Sequence, residues 1–167
     1  MPTLEPPDNH HLDAAIGWLG LGCAADAGAE LDQISAPNQS HLDVLEMRWT
    51  LAVHGQNWAE ALAVAERELQ TDTADAGGWL HRAYALRRME NGGLAAAWAA
   101  LLPAADKFPA EPVIPYNLAC YACQMAQLDD ARQWLRRAQK IGGREAIQKM
   151  ALADDDLQPL WPEIKKI

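Results

Sequence analysis

Residues 116–124 read Tyr-Asn-Leu-Ala-Cys-Tyr-Ala-Cys-Gln, and residues 128–131 read Leu-Asp-Asp-Ala. The spacing predicts one helix, a tight corner at Ala126-Gln127, and the start of a second helix. The same spacing of small and large apolar residues recurs upstream at intervals close to 34 residues. An interval of this length is typical of stacked helical repeats, so this recurrence decides the fold class.

A small residue marks each repeat. Four alanines stand at intervals of 34, 36 and 34 residues: Ala27, Ala61, Ala97 and Ala131. The residues three places before and four and seven places after each alanine are apolar, with the single exception of Glu68. Because these offsets put side chains on one face of a helix, the four segments are predicted to pack through the same face.

A second series lies upstream of the first, at intervals of 34, 34 and 36 residues: Ala15, Trp49, Ala83 and Ala119. Each unit is therefore predicted to be a helix pair joined by a short corner. Gly22, Gly55 and the pair Gly92-Gly93 fall at corners, where glycine favours the positive φ that ends a helix. Two extra residues in the third unit are placed near Glu90–Gly93.

The spacing also predicts the bounds of the helices. They are expected at residues 9–21, 24–34, 40–54, 58–71, 76–90, 94–107, 112–126, 129–141 and 144–152. Ser40 is expected to cap the third helix, with Asp43 completing an approximate capping box. Pro103 lies inside the sixth helix and predicts a kink there.

The chain is thus predicted to be all-α, in three parts. Residues 1–8 form a flexible tail, residues 9–142 form the repeats, and residues 143–167 form a capping helix and tail. The four pairs occupy 9–36, 40–73, 76–109 and 111–142, and the first is degenerate because its second helix is short. A stack exposes its last apolar face, so a cap is physically required.

Composition and charge narrow the class of protein. The longest apolar run is about a dozen residues, well short of the roughly 20 that span a membrane, and no signal peptide is visible. Three cysteines without framework spacing fit a reducing compartment, so we expect a cytoplasmic protein. The net charge is −9, and residues 1–75 alone hold thirteen acids and two bases, which argues against nucleic-acid binding.

The fourth unit resembles a tetratricopeptide repeat, through Asn117-Leu118-Ala119 with Tyr121 in its first helix and Leu128-Asp129-Asp130-Ala131 opening its second. Trp58–Leu62 gives the second unit the same resemblance, which covers roughly residues 9–142. The resemblance implies a right-handed α-solenoid of about four antiparallel helix pairs. It further implies a concave groove, lined by the first helix of each pair, that takes a peptide or a partner protein without chemistry of its own.

The resemblance also implies which residues face the groove. They are Glu46, Thr50, His54, His81, Tyr84, Arg88, Asn117, Tyr121 and Gln124, with Asp13, Ile16, Met47, Arg87 and Cys120 at further places. Asn117 stands where peptide-binding members hold a peptide backbone or terminal carboxylate, and Arg88 would add a charge-assisted hydrogen bond. In members that bind a terminal carboxylate, the resemblance implies basic and amide side chains that clamp it. This chain has Asp13 and Ile16 at those places. Alternatively, Asn117 bonds a neighbouring helix and Arg88 is solvated.

Cys120 and Cys123 admit a redox or zinc interpretation. A redox pair typically lies at a helix N-terminus, whereas this pair is predicted in mid-helix, and a zinc site needs four ligands. We therefore expect packing residues. No motif indicates an enzyme, a cofactor or a metal site. The expected function is a non-catalytic interaction module for a peptide or protein, and the alternative is structural self-association, as a homo-oligomer or in a complex, through the convex or capped surface.

Overall fold

Helices connected by short turns make up the computed structural model, which describes residues 3–165 and contains no β-strand in that range. The α-helices are α1 (Asp8–Gly20), α2 (Ala24–Gln33), α3 (Leu42–His54), α4 (Trp58–Thr71), α5 (Gly77–Arg88), α6 (Leu94–Leu101), α7 (Ala104–Lys107), α8 (Val113–Gln124), α9 (Leu128–Gly142), α10 (Arg144–Leu152) and α11 (Trp161–Ile164). Short 3-10 helices span Ala36–Asn38 and Asp155–Leu160. The predicted all-α class is confirmed. Within residues 3–165, no helix is both long enough and apolar enough to cross a membrane.

The helices belong to two compact units, each larger than one of the predicted helix pairs. The first unit ends at Met89, and the second unit begins at Glu90. In the first unit, α1 packs on α2, α3 on α4, and α4 on α5. In the second unit, α8 packs on α9 and also contacts α6 and the 3-10 helix Asp155–Leu160. The division falls inside the predicted third helix pair, at the corner to which we assigned two extra residues.

Most of the predicted packing face is buried, whereas Trp49 and the positions three residues before each marker alanine are half-buried. Ala27, Ala61, Ala97 and Ala131 are all fully buried, as are Ala15, Ala83 and Ala119 of the second series. Alanine lets two helix backbones approach closely, and substitution by a larger residue would force them apart. Glu68, the polar exception in the pattern, is buried too and keeps only 4% of its surface exposed.

Three corners close with the same hydrogen bond. The amide of Cys23 donates to the Trp18 carbonyl, that of Asn57 to Ala52, and that of Gln127 to Ala122, at 2.8 to 2.9 Å. Each bond spans five residues, and the residue before the donor has a positive φ: Gly22, Gln56 and Ala126. The prediction for Gly55 was therefore wrong, because its φ is −80° and Gln56 takes the left-handed conformation instead.

Two other local predictions need correction. Helix α3 begins at Leu42, not at residue 40, because His41 rather than Ser40 caps it by accepting a hydrogen bond from the Asp43 amide. The predicted kink at Pro103 is a full break: α6 ends at Leu101 and α7 begins at Ala104. Proline cannot donate the amide that would continue the helix.

The predicted tail, residues 1–8, lies partly outside the described residues, and its last residue, Asp8, belongs to α1. Helix α1 starts at Asp8, whose buried carboxylate accepts hydrogen bonds from the amide and hydroxyl of Ser35 and from Asn38 Nδ2 at 2.7 Å. Leu4 packs against the apolar cluster of the first unit. These contacts fasten the start of α1 to the link that follows α2.

The C-terminal segment covers one face of α8. Leu157 and Leu160 are buried, and the Asp154 carboxylate accepts a hydrogen bond from the Tyr116 hydroxyl at 2.9 Å. Arg132 of α9 binds both oxygens of Glu163 at 2.7 and 2.8 Å, which holds α11 against the unit. The apolar residues that the sequence predicted as a cap thus pack within the second unit.

The Asp8 contacts predict a loss of stability when the carboxylate is replaced. Asp8→Asn should lower the midpoint of thermal unfolding by several degrees, because an amide oxygen cannot accept all three hydrogen bonds. Asp13→Asn, on an exposed part of the same helix, should leave the midpoint unchanged. Equal midpoints for the two variants would contradict the role assigned to Asp8.

The same contacts predict a pH dependence. Hydrogen bonds from Ser35, first its hydroxyl and then its amide, lower the pKa of Asp8 below its ordinary value of 3.8. The stabilisation is therefore fully present above pH 3.8 and is lost as the pH falls through the lower folded pKa. Urea unfolding of the wild type and Asp8→Asn should show a difference that shrinks only in this acidic range.

A leucine pair tests the C-terminal contacts. Leu157→Ala removes a fully buried side chain and should cost about 2 to 5 kcal/mol of unfolding free energy. Leu102→Ala, at a site 40% exposed in the same unit, should cost much less. Urea denaturation of both variants measures the difference, and similar losses would show that the segment is not part of the folded unit.

Candidate binding site

The buried Glu68 carboxylate of α4 meets His81 of α5. His81 Nδ1 lies 2.8 Å from Glu68 Oε2, and because a carboxylate can only accept, the imidazole donates. Gly78 leaves room beside this pair, since a Cβ there would lie 3.1 Å from Leu69 Cγ and 3.2 Å from the Glu68 Cβ, a tight contact for packed carbons. The one polar residue in the packing pattern therefore fixes a histidine at the surface of the first unit.

An aromatic stack supports His81 from α3. The rings of Trp49 and His81 are 3.8 Å apart between centroids and inclined by only 11°. Tyr84 packs edge-on to Trp49 at 5.6 Å, and the Arg88 guanidinium lies over the Tyr84 ring at 3.5 Å. Stacking and the bond to Glu68 together leave the imidazole little freedom to rotate.

A pocket of about 200 Å³ opens beside this pair, and we call it the acidic pocket. It is lined by Leu42, Glu46, Glu68, Asp75, Gly77 and His81. Glu46 and Asp75 are exposed at its edge, whereas Glu68 lies at its buried side. Three carboxylates thus surround one small volume.

A second pocket, of about 380 Å³, lies between α1 and α3, and we call it the apolar pocket. It is lined by Leu12, Ile16, Asp43, Glu46, Met47 and Thr50. Leu12 and Met47 are buried, and Ile16 is 55% exposed, an unusual degree for an isoleucine. Glu46 lines both pockets, so they adjoin on the α3 surface.

The structure brings part of the predicted site of the first unit together. Glu46 and His81 line the acidic pocket, and Glu46 and Thr50 line the apolar one. Tyr84 and Arg88 belong to the supporting aromatic stack, where Arg88 also lies 5.5 Å from the Trp58 ring centroid. His54 is exposed at the last residue of α3 and lines neither pocket.

The predicted residues of the second unit have partners in their own unit. Asn117 Nδ2 donates to the Val113 carbonyl one turn earlier at 2.9 Å. Tyr121 is buried, and Gln124 Nε2 donates to the Asp156 carbonyl at 2.9 Å. The 3-10 helix Asp155–Leu160 packs on α8, so part of the surface of this helix is already occupied within the second unit.

The thiols of α8 are buried among the same contacts. Cys120 and Cys123 are not joined in a disulfide, and burial, followed by the charge of Asp156, raises the pKa of Cys123. Potential metal-ligating atoms of Cys120, Asp154 and Asp156 lie within 4.8 Å of one another. Asp154 already accepts from Tyr116, Cys120 and the Asp156 amide, so this group is explained as a hydrogen-bonded anchor of the C-terminal segment.

A larger depression, of about 470 Å³, lies on another side of α3, where α2, α3 and the start of α4 line it. Two charged residues, Arg48 and Glu60, line it. Arg48 is engaged by Asp32 at 3.0 Å and by Gln39 at 2.8 Å, and half of the lining residues are alanine or glycine. Size alone does not make a site, and the chemistry of the two pockets on α3 is more specific.

Sequence reasoning missed Glu68 and Asp75. Glu68 carried a signal, since it was the single polar residue at a predicted packing position, but nothing in the spacing indicated its partner. Asp75 lies in the turn before α5, where its carboxylate accepts a hydrogen bond from the Gly77 amide at 3.2 Å. Turn residues follow no repeat pattern, so its place in the pocket could not be predicted.

The sequence matches no family model and no curated protein. Function is therefore inferred from the pockets and the chemistry of the residues that line them.

The Glu68–His81 hydrogen bond predicts that the unfolding free energy depends on Glu68 but not on a nearby exposed glutamate of α4. Glu68→Ala should lower the unfolding free energy by about 1 to 3 kcal/mol, because it leaves the His81 N–H without its acceptor. Glu66→Ala, two residues earlier and exposed, should change it by less than about 0.5 kcal/mol. Urea unfolding followed by tryptophan fluorescence measures both free energies. Equal values would show that the Glu68–His81 hydrogen bond does not stabilise the fold.

Proposed function

We propose that this protein is a non-catalytic interaction module that binds a peptide or a segment of a partner protein on the α3 surface. The observation that carries the proposal is the pair of adjoining pockets, one acidic and one apolar, that share Glu46. A few placed polar groups beside exposed apolar area are typical of recognition sites. Stacking on Trp49 holds His81 in place, which lowers the entropic cost of binding.

The lining residues favour binding over covalent catalysis. Neither pocket is lined by a cysteine, serine or lysine, and the one hydroxyl, on Thr50, donates to the Glu46 carbonyl at 2.9 Å. What remains, beside the imidazole of His81, is charge and apolar area. Both serve recognition directly.

We further propose that the fold is a right-handed tetratricopeptide-type solenoid of about four helix pairs, with residues 143–167 as its cap. Two observations support this: the buried alanines at intervals near 34 residues, and the corner hydrogen bond repeated after α1, α3 and α8. In such a fold, α1, α3 and α5 are the first helices of their pairs, and these helices carry all the lining residues except Glu68 of α4 and Asp75 of the turn before α5. The proposed peptide site thus agrees with the groove that the resemblance implies.

Self-association is the second candidate function. Leu21 is 75% exposed in the first unit, and Leu102 and Met150 are exposed in the second. Exposed apolar side chains can mark contacts between copies of a chain. Sedimentation equilibrium separates the candidates: a monomer is expected under the leading proposal, and a mass that rises with concentration under this one.

Two exposed apolar residues of the first unit give a matched test. Ile16→Glu should weaken the binding of peptides selected from an array by about tenfold or more, because it removes apolar contact and adds a charge to the pocket. Leu21→Glu changes an even more exposed site outside both pockets and should leave binding unchanged. Affinities come from fluorescence anisotropy. Unaltered binding by Ile16→Glu, or no binding by the unmodified chain, would contradict the proposal.

A further inference from the structure

We propose that the occupant of the α3 surface is an extended peptide segment of another protein, with a lysine or arginine about three residues from a large apolar residue. The cationic side chain enters the acidic pocket and the apolar side chain enters the apolar pocket. This inference rests on the proposed function and specifies its ligand.

The charge of the acidic pocket selects a cation. Glu46, Glu68 and Asp75 all line it, and no lysine or arginine does. Residues 1–89 hold thirteen acids and five bases, a balance of −8, so the field around the pocket favours a positive group as well. Like charges around one small volume repel each other, and a bound cation relieves this repulsion.

Burial makes one of these carboxylates, that of Glu68, a stronger hydrogen-bond acceptor for a cation than an exposed carboxylate would be. Glu68 is 4% exposed, and its Oε2 is occupied by His81. Oε1 keeps its capacity to accept from a ligand, since a carboxylate offers about four acceptor sites. A charge-assisted hydrogen bond to a partly buried carboxylate is stronger than one at an open surface.

The size of the pocket favours an organic cation. Calcium and magnesium bind oxygen ligands at about 2.0 to 2.6 Å, which requires a compact ligand set. The acidic pocket measures about 200 Å³, and its carboxylates come from α3, α4 and the turn before α5. An ammonium or guanidinium group brings three or five donors on a long stem, and it can address several separated acceptors at once.

The two pockets set the spacing of the ligand. They lie on either side of α3, with Glu46 contributing to both. One pocket lies between α1 and α3 and the other between α3 and α5. Their centres are therefore separated by about one spacing between packed helices, roughly 8 to 10 Å. An extended peptide advances about 3.3 Å per residue, so this separation corresponds to about three residues.

The apolar pocket supplies the second half of the recognition. Ile16 is 55% exposed beside the buried Met47, and both can contact an aliphatic or aromatic side chain. Asp43 and Glu46 stand in the wall of the same pocket and would repel an acidic peptide. The combination therefore discriminates by attraction and by repulsion.

Labelled synthetic peptides on a glycine–serine background test the inference. One peptide carries lysine and leucine three residues apart, a second has the reverse order, and matched controls replace the lysine by glutamate or the leucine by serine. Fluorescence anisotropy with the full chain should show binding of at least one of the two parent peptides. Each control should bind about fivefold or more weakly, and binding should weaken as sodium chloride rises from roughly 0.05 to 0.5 M.

Charge-neutralising variants test whether the carboxylates of the acidic pocket bind the lysine side chain. Glu46→Gln and Asp75→Asn change exposed side chains, and each should weaken binding of the lysine peptide by about fivefold. Glu66→Gln, outside both pockets, should leave this binding unchanged. Circular dichroism confirms that each variant is folded. Equal binding by the Glu46→Gln and Glu66→Gln variants would overturn the inference.

The outcomes separate this inference from the function on which it rests. Peptides that bind the α3 surface through Ile16 but need no basic residue would overturn the cationic ligand and leave the interaction module intact. Failure of every peptide on an unbiased array would overturn both. Self-association that Glu46→Gln abolishes would assign the surface to a second copy of the chain and would also overturn the inference.

Discussion

Close approach of helices at buried alanines is the constraint on which the structure depends. Ala27, Ala61, Ala97 and Ala131 are all fully buried, and α2, α4 and α9, which carry three of them, each pack on the preceding helix of the same unit. A small residue at this position fixes the distance between helix axes, and the apolar residues four and seven places later extend the contact along the same face. Each unit is thereby built from the same short-range contact.

The candidate site arises where this pattern is broken. Seven places after Ala61, the chain has Glu68 instead of an apolar residue, and burying a carboxylate is unfavourable unless it is hydrogen-bonded. His81 supplies that bond at 2.8 Å and is held in turn by stacking on Trp49. Packing geometry that would otherwise be purely apolar thus presents a fixed carboxylate and imidazole to the α3 surface.

The sequence predicted the local features well and the long-range ones poorly. Periodicity placed most helix bounds within two residues, because the apolar spacing that defines a helix face is a local property. It did not predict that Asp8 accepts hydrogen bonds from Ser35 and Asn38, or that Gln124 of α8 donates to the Asp156 carbonyl in the C-terminal segment. These contacts join segments that are about 30 residues apart and follow no repeat. Among the predicted site residues, Glu46, Thr50 and His81 line the two pockets, and that they face a groove and bind a partner stays a prediction.

Methyl NMR tests the central claim most directly. With the isoleucine and methionine methyl groups labelled, titration with a lysine–leucine peptide should shift the Ile16 and Met47 resonances progressively and saturably, because both methyl groups line the apolar pocket. Ile147 and Met150 of α10, in the other unit, should stay unchanged. Shifts confined to α10, or none at Ile16 and Met47 during saturable binding, would contradict the claim that the α3 surface is the binding site.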